Sequence, residues 1–196
     1  DPSCAGLDDG SLKLFVEGGT APYHYQWSNG SSLPDLLRLT GGDFSITVRD
    51  ANNCAVSDAA TLTEPSPLSA QMTRLADVSC FGGSDAALQV NVSGGTAPYQ
   101  YRWYDSLVTL SLTAPTVDGL KHGAYSVEVT DSRNCQVVKK MMVRQPSRPL
   151  QADIVPNPGP CNEDASGALD LRVQGGSPPY AYAWSNGQTL EDLNYV

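Results

Sequence analysis

Cysteine is the residue with the most definite chemistry in this chain, and its five copies stand at positions 4, 54, 80, 135 and 161. Two disulfide schemes fit their intervals. One joins Cys4 to Cys54 and Cys80 to Cys135, leaving Cys161 over. The other joins Cys54 to Cys80 and Cys135 to Cys161, leaving Cys4 over. Each pair of the second scheme is 26 residues apart, but the intervening stretch reads as a strand, a Pro-Ser segment and another strand. In units that run end to end, such a stretch is too extended for its termini to reach the Cα separation of about 4.4–6.8 Å that a disulfide needs. The first scheme is therefore expected. It requires the strand after Cys4 and the strand before Cys54 to run in opposite directions, separated by an even number of strands. A closed loop of about 50 residues stabilises by up to ~4 kcal/mol in the chain-entropy description, and the bond implies an oxidising, extracellular setting. Zinc fits poorly: no CxxC pair occurs, and His24 and His122 do not recur with the cysteines.

Aspartates are the second group with chemistry available. Asp85 lies near a leading cysteine, and Asp50 and Asp131 follow a hydrophobic strand. Hard oxygen donors near domain ends can hold calcium, although no twelve-residue calcium loop frames them and turn capping accounts for single aspartates. His24 and His122 stand apart, with no serine, cysteine or acid arranged around them as a catalytic triad would need. No catalytic residues are assigned, and the chain is not expected to be an enzyme.

The elements that position these residues are set by repetition. "GGTAPYHYQW" at 18–27 returns as "GGTAPYQYRW" at 94–103 and "GGSPPYAYAW" at 175–184, and Cys4, Cys80 and Cys161 keep the same intervals of 76 and 81 residues. Internal repeats take precedence over length in counting domains. The expected organisation is a first repeat at 1–66 without its N-terminal strand, a complete second repeat at 67–147, and a third at 148–196 that stops before its second half.

Within a repeat, Leu88, Val90 and Val92 alternate with polar residues, as do Leu12, Leu14 and Val16, and Leu169, Leu171 and Val173. Period-two alternation marks a half-buried strand. Gly-Gly-(Thr/Ser)-x-Pro then turns the chain. Tyr23, Tyr25 and Trp27 follow at i, i+2 and i+4, as do Tyr99, Tyr101 and Trp103, and Tyr180, Tyr182 and Trp184. One strand face therefore carries three rings. Exposed, such a face would form a platform for sugars; bulk on the non-polar face reads instead as core. The segment after Trp103 carries five extra residues and is expected to be a surface loop or edge strand. Six or seven short strands per repeat give an all-β fold of tandem immunoglobulin-like or PKD-like β-sandwiches, about 76–81 residues each.

Net charge is −9, from 12 Lys plus Arg against 21 Asp plus Glu. An acidic surface repels phosphates and anionic lipids, so nucleic acid is not an expected partner. No stretch approaches the roughly 18 apolar residues of a membrane helix, and membrane insertion is not expected.

"GGTAPYHYQWSNG", the spacing of Leu120, Gly123, Tyr125, Val127, Val129, Asp131 and Cys135, and the leading Cys-x-Gly pattern together resemble the SprB repeat of Bacteroidetes surface proteins. The second repeat departs from it where "WYDSLVTL" replaces Trp-Ser-Asn-Gly. The resemblance implies a long secreted or cell-surface adhesin exported by the type IX system, its repeats forming a filament carried by the gliding machinery. The partners it implies are other repeats of the same polypeptide, that machinery, and an extracellular polysaccharide or surface. It also makes "DSL" at 105–107 similar to an O-glycosylation motif with Ser106 as acceptor. The alternative reading is a carbohydrate-binding accessory module of a secreted enzyme.

Overall fold

Alternation of apolar and polar side chains drives the chain into short antiparallel strands, because each such strand buries one face and leaves the other wet. The computed structural model describes residues 1–106, 108–157 and 167–194. Leu107 and Cys161 lie outside the described residues. The first group of strands is β1 (Gly10–Leu12), β2 (His24–Trp27), β3 (Leu36–Leu39), β4 (Gly42–Arg49) and β5 (Ala55–Leu62). The second is β6 (Ser69–Ala76), β7 (Ala86–Ser93), β8 (Gln100–Asp105), β9 (Val108–Thr109), β10 (Thr116–Leu120), β11 (Gly123–Thr130) and β12 (Gln136–Val143). The third is β13 (Gln151–Asn157), β14 (Ala168–Gln174) and β15 (Leu193–Asn194).

The second group shows the repeat in full. Its seven strands form two antiparallel sheets, ordered β10-β7-β6 and β12-β11-β8-β9. Their inner faces supply Leu88 and Val90 from β7, Trp103 from β8, Val127 and Val129 from β11 and Val143 from β12, each 3% exposed or less. The stretch after Trp103 turns into β9, a two-residue edge strand paired with β8. The first group repeats the plan with β1-β3 and β2-β4-β5, without a counterpart of β6. In the second group β12 packs on β6 and buries Val137 and Met141 partly. Without that cover β5 is exposed along almost its whole length, and Val56, the counterpart of Val137, is 63% exposed.

The aromatic triplets face inward. Trp27 and Trp103 are 5% and 0% exposed, and Tyr23, Tyr25, Tyr99 and Tyr101 pack half-buried against the same cores. Burying 150–250 Å² of aromatic surface is worth about 5 kcal/mol at ~25 cal/mol per Å². Each indole Nε1 also donates to a loop carbonyl: Trp27 to Leu33 at 2.8 Å, Trp103 to Ala114 at 2.9 Å and Trp184 to Leu190 at 2.9 Å. Tyr180, Tyr182 and Trp184 line an open hollow of about 480 Å³ together with Leu171 and Val173.

Strand directions give each sandwich two distinct ends. In the second repeat β7 leaves the end that holds residues 77–85 and arrives at the end that holds the Gly-Gly turn at 94–95. The pairings of β8 with β11 and β11 with β12 place the 131–135 turn at that same Gly-Gly end. Strands β7 and β11 thus run in the same direction, with three strands between them. Opposite directions and an even count, the condition for cysteine pairing within a repeat, are not met.

The Gly-Gly turn receives the linker as well as reversing the chain. Gly94 and Gly95 have φ of 69° and 63°, a region that glycine enters without steric cost. The linker passes directly over them. Gly95 N donates to Ser66 O at 2.8 Å, and a Cβ on Gly94 would stand 2.0 Å from the Pro67 carbonyl oxygen. The next linker does the same at Gly175, where Pro149 O is 2.0 Å from a would-be Cβ. At Gly18 no atom of the described residues lies within 4 Å of a would-be Cβ. Gly18→Ala is therefore expected to cost only left-handed strain, about 1–2 kcal/mol. Gly94→Ala adds displacement of the linker backbone, about 1–3 kcal/mol more. Urea denaturation of the two variants checks this, and equal losses would show that the linker does not press on Gly94.

Candidate functional site

The cysteines sit in two kinds of rigid loop, one at each end of a sandwich. The first is the Asp-x-x-Asn-Cys turn at the Gly-Gly end. Asp131 Oδ1 accepts from Arg133 N and Cys135 N, both at 2.9 Å, and its Oδ2 accepts from Thr96 N at 2.8 Å. Asn134 takes φ of 67°, which asparagine tolerates better than other side chains. Asp50 repeats the pattern in the first sandwich, accepting from Asn52 N and Cys54 N at 2.9 Å and from Thr20 N at 3.1 Å. Asn53 has φ of 61°. One carboxylate thus ties the cysteine turn to the Gly-Gly turn beside it. Burial pushes the Asp131 carboxyl up, but the N–H donors of Thr96, Cys135 and Arg133 outweigh it and hold the group below its ordinary value of 3.8. Asp50 is lowered by the same balance.

The second loop carries the leading cysteine at the opposite end. Ser79 N donates to Asp85 Oδ1 at 3.0 Å, and Gly82 N to Gln145 Oε1 at 3.0 Å. In the first repeat Ser3 N donates to Asp9 Oδ1 at 2.9 Å, and Gly6 N to Glu64 Oε2 at 2.9 Å. Glu64 Oε1 further accepts from Gly41 N at 2.8 Å. Residues 63–68 start beside this loop and end on the Gly-Gly turn of the next repeat. The leading-loop end of one sandwich consequently abuts the Gly-Gly end of its successor.

Across that junction Cys4 bonds Cys135, with Cα atoms 5.7 Å apart and 131 residues between them in sequence. Arg133 Nη1 donates to Pro2 O at 3.5 Å, and Pro2 is fully buried. The expected bonds Cys4–Cys54 and Cys80–Cys135 are not formed; among the described residues Cys54 and Cys80 are free, and both are exposed. Strand length explains the correction. The two cysteines of one repeat lie at opposite ends of eight-residue strands, about 26 Å at ~3.3 Å per residue, whereas the end-to-end junction brings the cysteines of adjacent repeats together. A loop of this size, closed across two sandwiches, stabilises by about 5 kcal/mol in the chain-entropy description.

Asp50, Asp85 and Asp131 occupy three different loop clusters and are not brought together; each accepts backbone N–H groups of its own loops. Among the described residues, no three acidic, histidine or cysteine side chains are grouped as a metal site. His24 begins the exposed edge of β2, and His122 is exposed between β10 and β11. Ser106 is exposed, has φ of 54°, and donates its N–H to Ala124 O at 2.9 Å in the tip between β8 and β9. Glu64 and Gln145 escaped sequence reasoning. The signal was their shared place before Pro-Ser, where the side chain reaches back to the leading loop.

The strands and the junction define a class: tandem immunoglobulin-like β-sandwiches, joined end to end by a disulfide between neighbouring repeats. The model of the SprB repeat matches residues 1–32, 73–108 and 155–189, together more than half of the chain. The chain belongs to the SprB repeat family, and it is a repeat module of the cell-surface adhesin type. No curated protein matches it. Among solved structures it is similar to the three N-terminal domains of the outer capsid protein Hoc of bacteriophage RB49, at 16% identity and a TM-score of 0.48, covering 88% of this chain and 66% of that one. It is also similar to the N-terminal eight Ig domains of Down syndrome cell adhesion molecule, at 15% identity and a TM-score of 0.37, covering 95% and 34%. The chain thus spans just under two thirds of the first and a third of the second. With these scores the fold assignment rests on the strand order and pairing themselves.

Two measurements check the site. Non-reducing peptide mapping is expected to return a Cys4–Cys135 peptide and alkylated Cys54 and Cys80; a Cys80–Cys135 peptide would overturn the junction. Acid stability checks the aspartate turns. Because Asp50 and Asp131 are held below their ordinary values when folded, the unfolded chain binds more protons at low pH. Their stabilisation is present above the ordinary value of 3.8 and is lost as pH falls through the lower folded values. Asp131→Ala leaves three N–H donors without this acceptor and is expected to lose about 2 kcal/mol at pH 7, with a shallower acid slope than the parent.

Proposed function

We propose that this chain is a non-catalytic spacer and contact segment of a secreted cell-surface adhesin. The observation that carries this reading is the Cys4–Cys135 bond across the junction. A disulfide placed there holds the order of sandwiches along the polypeptide. It adds nothing to any cleft, and it suits an oxidising exterior. The recurring polar side chains described above are spent on turns and on the junction: Asp50 and Asp131 on cysteine turns, Asp9 and Asp85 on leading loops, Glu64 and Gln145 on the linker start. In the finer form of this reading, taken from the family resemblance, the parent protein is exported by the type IX system as a filament and moved by the gliding machinery. A carbohydrate-binding accessory module is less well supported, since the rings it would use are packed inward in the first two repeats.

Tension is the function such a segment has to meet, so pulling on its two ends is the direct test. With the bond intact, force entering at the N-terminus crosses from Cys4 to Cys135 and the 131-residue span between them is not extended. Under reductant that span joins the extensible chain, adding about 450 Å at ~3.5 Å per residue. Single-molecule force spectroscopy with and without dithiothreitol reads this difference, and an identical contour gain in both conditions would defeat the proposal. Titration with polysaccharides is expected to leave tryptophan fluorescence unchanged; a saturable shift would favour the carbohydrate-binding reading instead.

A further inference from the structure

Cys54 and Cys80 hold the same places in their loops as the two residues that are bonded. Cys54 is the counterpart of Cys135, and Cys80 of Cys4. Their backbones are already set. Asp50 N donates to Cys54 O at 3.0 Å, as Asp131 N does to Cys135 O at 3.0 Å. Gly83 N donates to Cys80 O at 2.9 Å, and Leu7 N to Cys4 O at 3.2 Å. What differs is the neighbour. Cys135 is 9% exposed beneath the Pro2–Cys4 segment, whereas Cys54, with no described residue seated on its turn, is exposed.

The surroundings of Cys54 match a seat that another repeat would fill. A hollow of about 140 Å³ beside it is lined by Val16, Gly19, Tyr23, Val48 and Val56. At the equivalent place in the second repeat the linker lies over the Gly-Gly turn, with Leu68 Cδ1 2.9 Å from a would-be Cβ on Gly95. Gly18 is open where Gly94 meets the Pro67 carbonyl. The seat is thus cut for the Pro-Leu linker and leading loop of a further SprB repeat.

We propose that Cys54 and Cys80 are the open halves of a disulfide ladder, in which the leading cysteine of each repeat bonds the trailing cysteine of the next. Cys54 takes the leading cysteine of a repeat placed before it, and Cys80 the trailing cysteine of a completed third repeat. Closure needs an oxidant of the disulfide class. One cysteine thiolate attacks glutathione disulfide and expels a glutathione thiolate. The second cysteine then attacks the protein sulfur of the mixed disulfide and expels the other. Two protein thiols are oxidised, one disulfide is reduced, and the two protons pass to the released thiolates. The inference rests on the junction geometry and is independent of whether the parent protein is an adhesin.

Two extended chains test it. Because Asp192–Leu193 aligns with Asp35–Leu36, a copy of residues 40–66 placed after Val196 completes the third repeat and supplies a trailing cysteine. A copy of residues 67–157 placed before Asp1 supplies a complete repeat with its own leading cysteine and the strand the first repeat lacks. Each is refolded in glutathione buffer, alkylated and mapped, with the Cys4–Cys135 peptide as the internal sign of native folding. In the first chain Cys80 is expected to lose its alkylation and appear bonded to the added trailing cysteine, while Cys54 stays labelled. In the second, Cys54 is expected to lose its label and appear bonded to the added leading cysteine. Full labelling of Cys80 or Cys54 in its respective chain, with Cys4–Cys135 intact, would overturn the ladder, as would a bond from either to any other cysteine. Should one extension prevent native folding, the other decides.

Discussion

Everything else in this molecule depends on how the leading loop of one sandwich sits on the Gly-Gly end of the next. Three things converge on that contact. The linker lays the Ser66 and Pro67 carbonyls over Gly94 and Gly95, Asp131 binds the cysteine turn to the Gly-Gly turn, and the disulfide closes over Pro2. Each constrains a different degree of freedom. The linker fixes where the new repeat begins, the carboxylate fixes where Cys135 points, and the bond prevents the two ends from parting. A sandwich of about 80 residues buries a limited core, and joining its end to a neighbour removes from water the polar turns and apolar linker residues that a free end would expose.

This arrangement gives a physical reason for the family phrase itself. The two glycines are needed for positive φ, and at Gly94 and Gly175 also because the incoming backbone leaves no room for a side chain. The tyrosine that follows returns its hydroxyl to the first glycine carbonyl, at 2.6 Å from Tyr23, 2.7 Å from Tyr99 and 2.5 Å from Tyr180. That bond rigidifies the turn that receives the linker, and the tryptophan two strand pleats further on anchors the same strand in the core. The phrase is therefore both core and docking surface, written on alternate faces and ends of one strand.

Much of this was legible from the residues. The alternation of Leu88, Val90 and Val92 marks β7, the rings at Tyr99, Tyr101 and Trp103 mark β8, and Gly-Gly-(Thr/Ser)-x-Pro marks the turn between them. The cysteine pairing was not legible, for a definite reason. Spacing along the chain reports separation in residues, whereas a disulfide depends on which end of a sandwich each cysteine occupies. That in turn depends on how often the chain crosses from end to end: after the tryptophan it returns once more before the next strand, through the irregular stretch that holds β9 in the second repeat and through residues 28–35, which form no strand, in the first. Glu64 and Gln145 were hidden differently: they lie in a segment whose prolines read as a plain linker, and only the fold shows their carboxylate and amide reaching back to glycine N–H groups at the leading loop.

The same geometry decides how load would travel through an array closed by such bonds. A bond from a leading cysteine to the trailing cysteine one repeat on skips the strands of the first sandwich and all but the last strand of the second, re-entering the chain at the start of β12. From Cys135 to Cys161 that chain is 26 residues, at most about 90 Å when fully drawn out at ~3.5 Å per residue. Two native sandwiches with strands of about 26 Å and their linkers already span much of that distance. The covalent path would then carry the tension with little slack to lose, and only the strands within it, β12 and β13, would bear load, leaving the pairing of the bypassed strands unstretched. A staple within each repeat would protect the sandwich but leave the linkers and junctions to stretch, whereas a staple across the junction protects both.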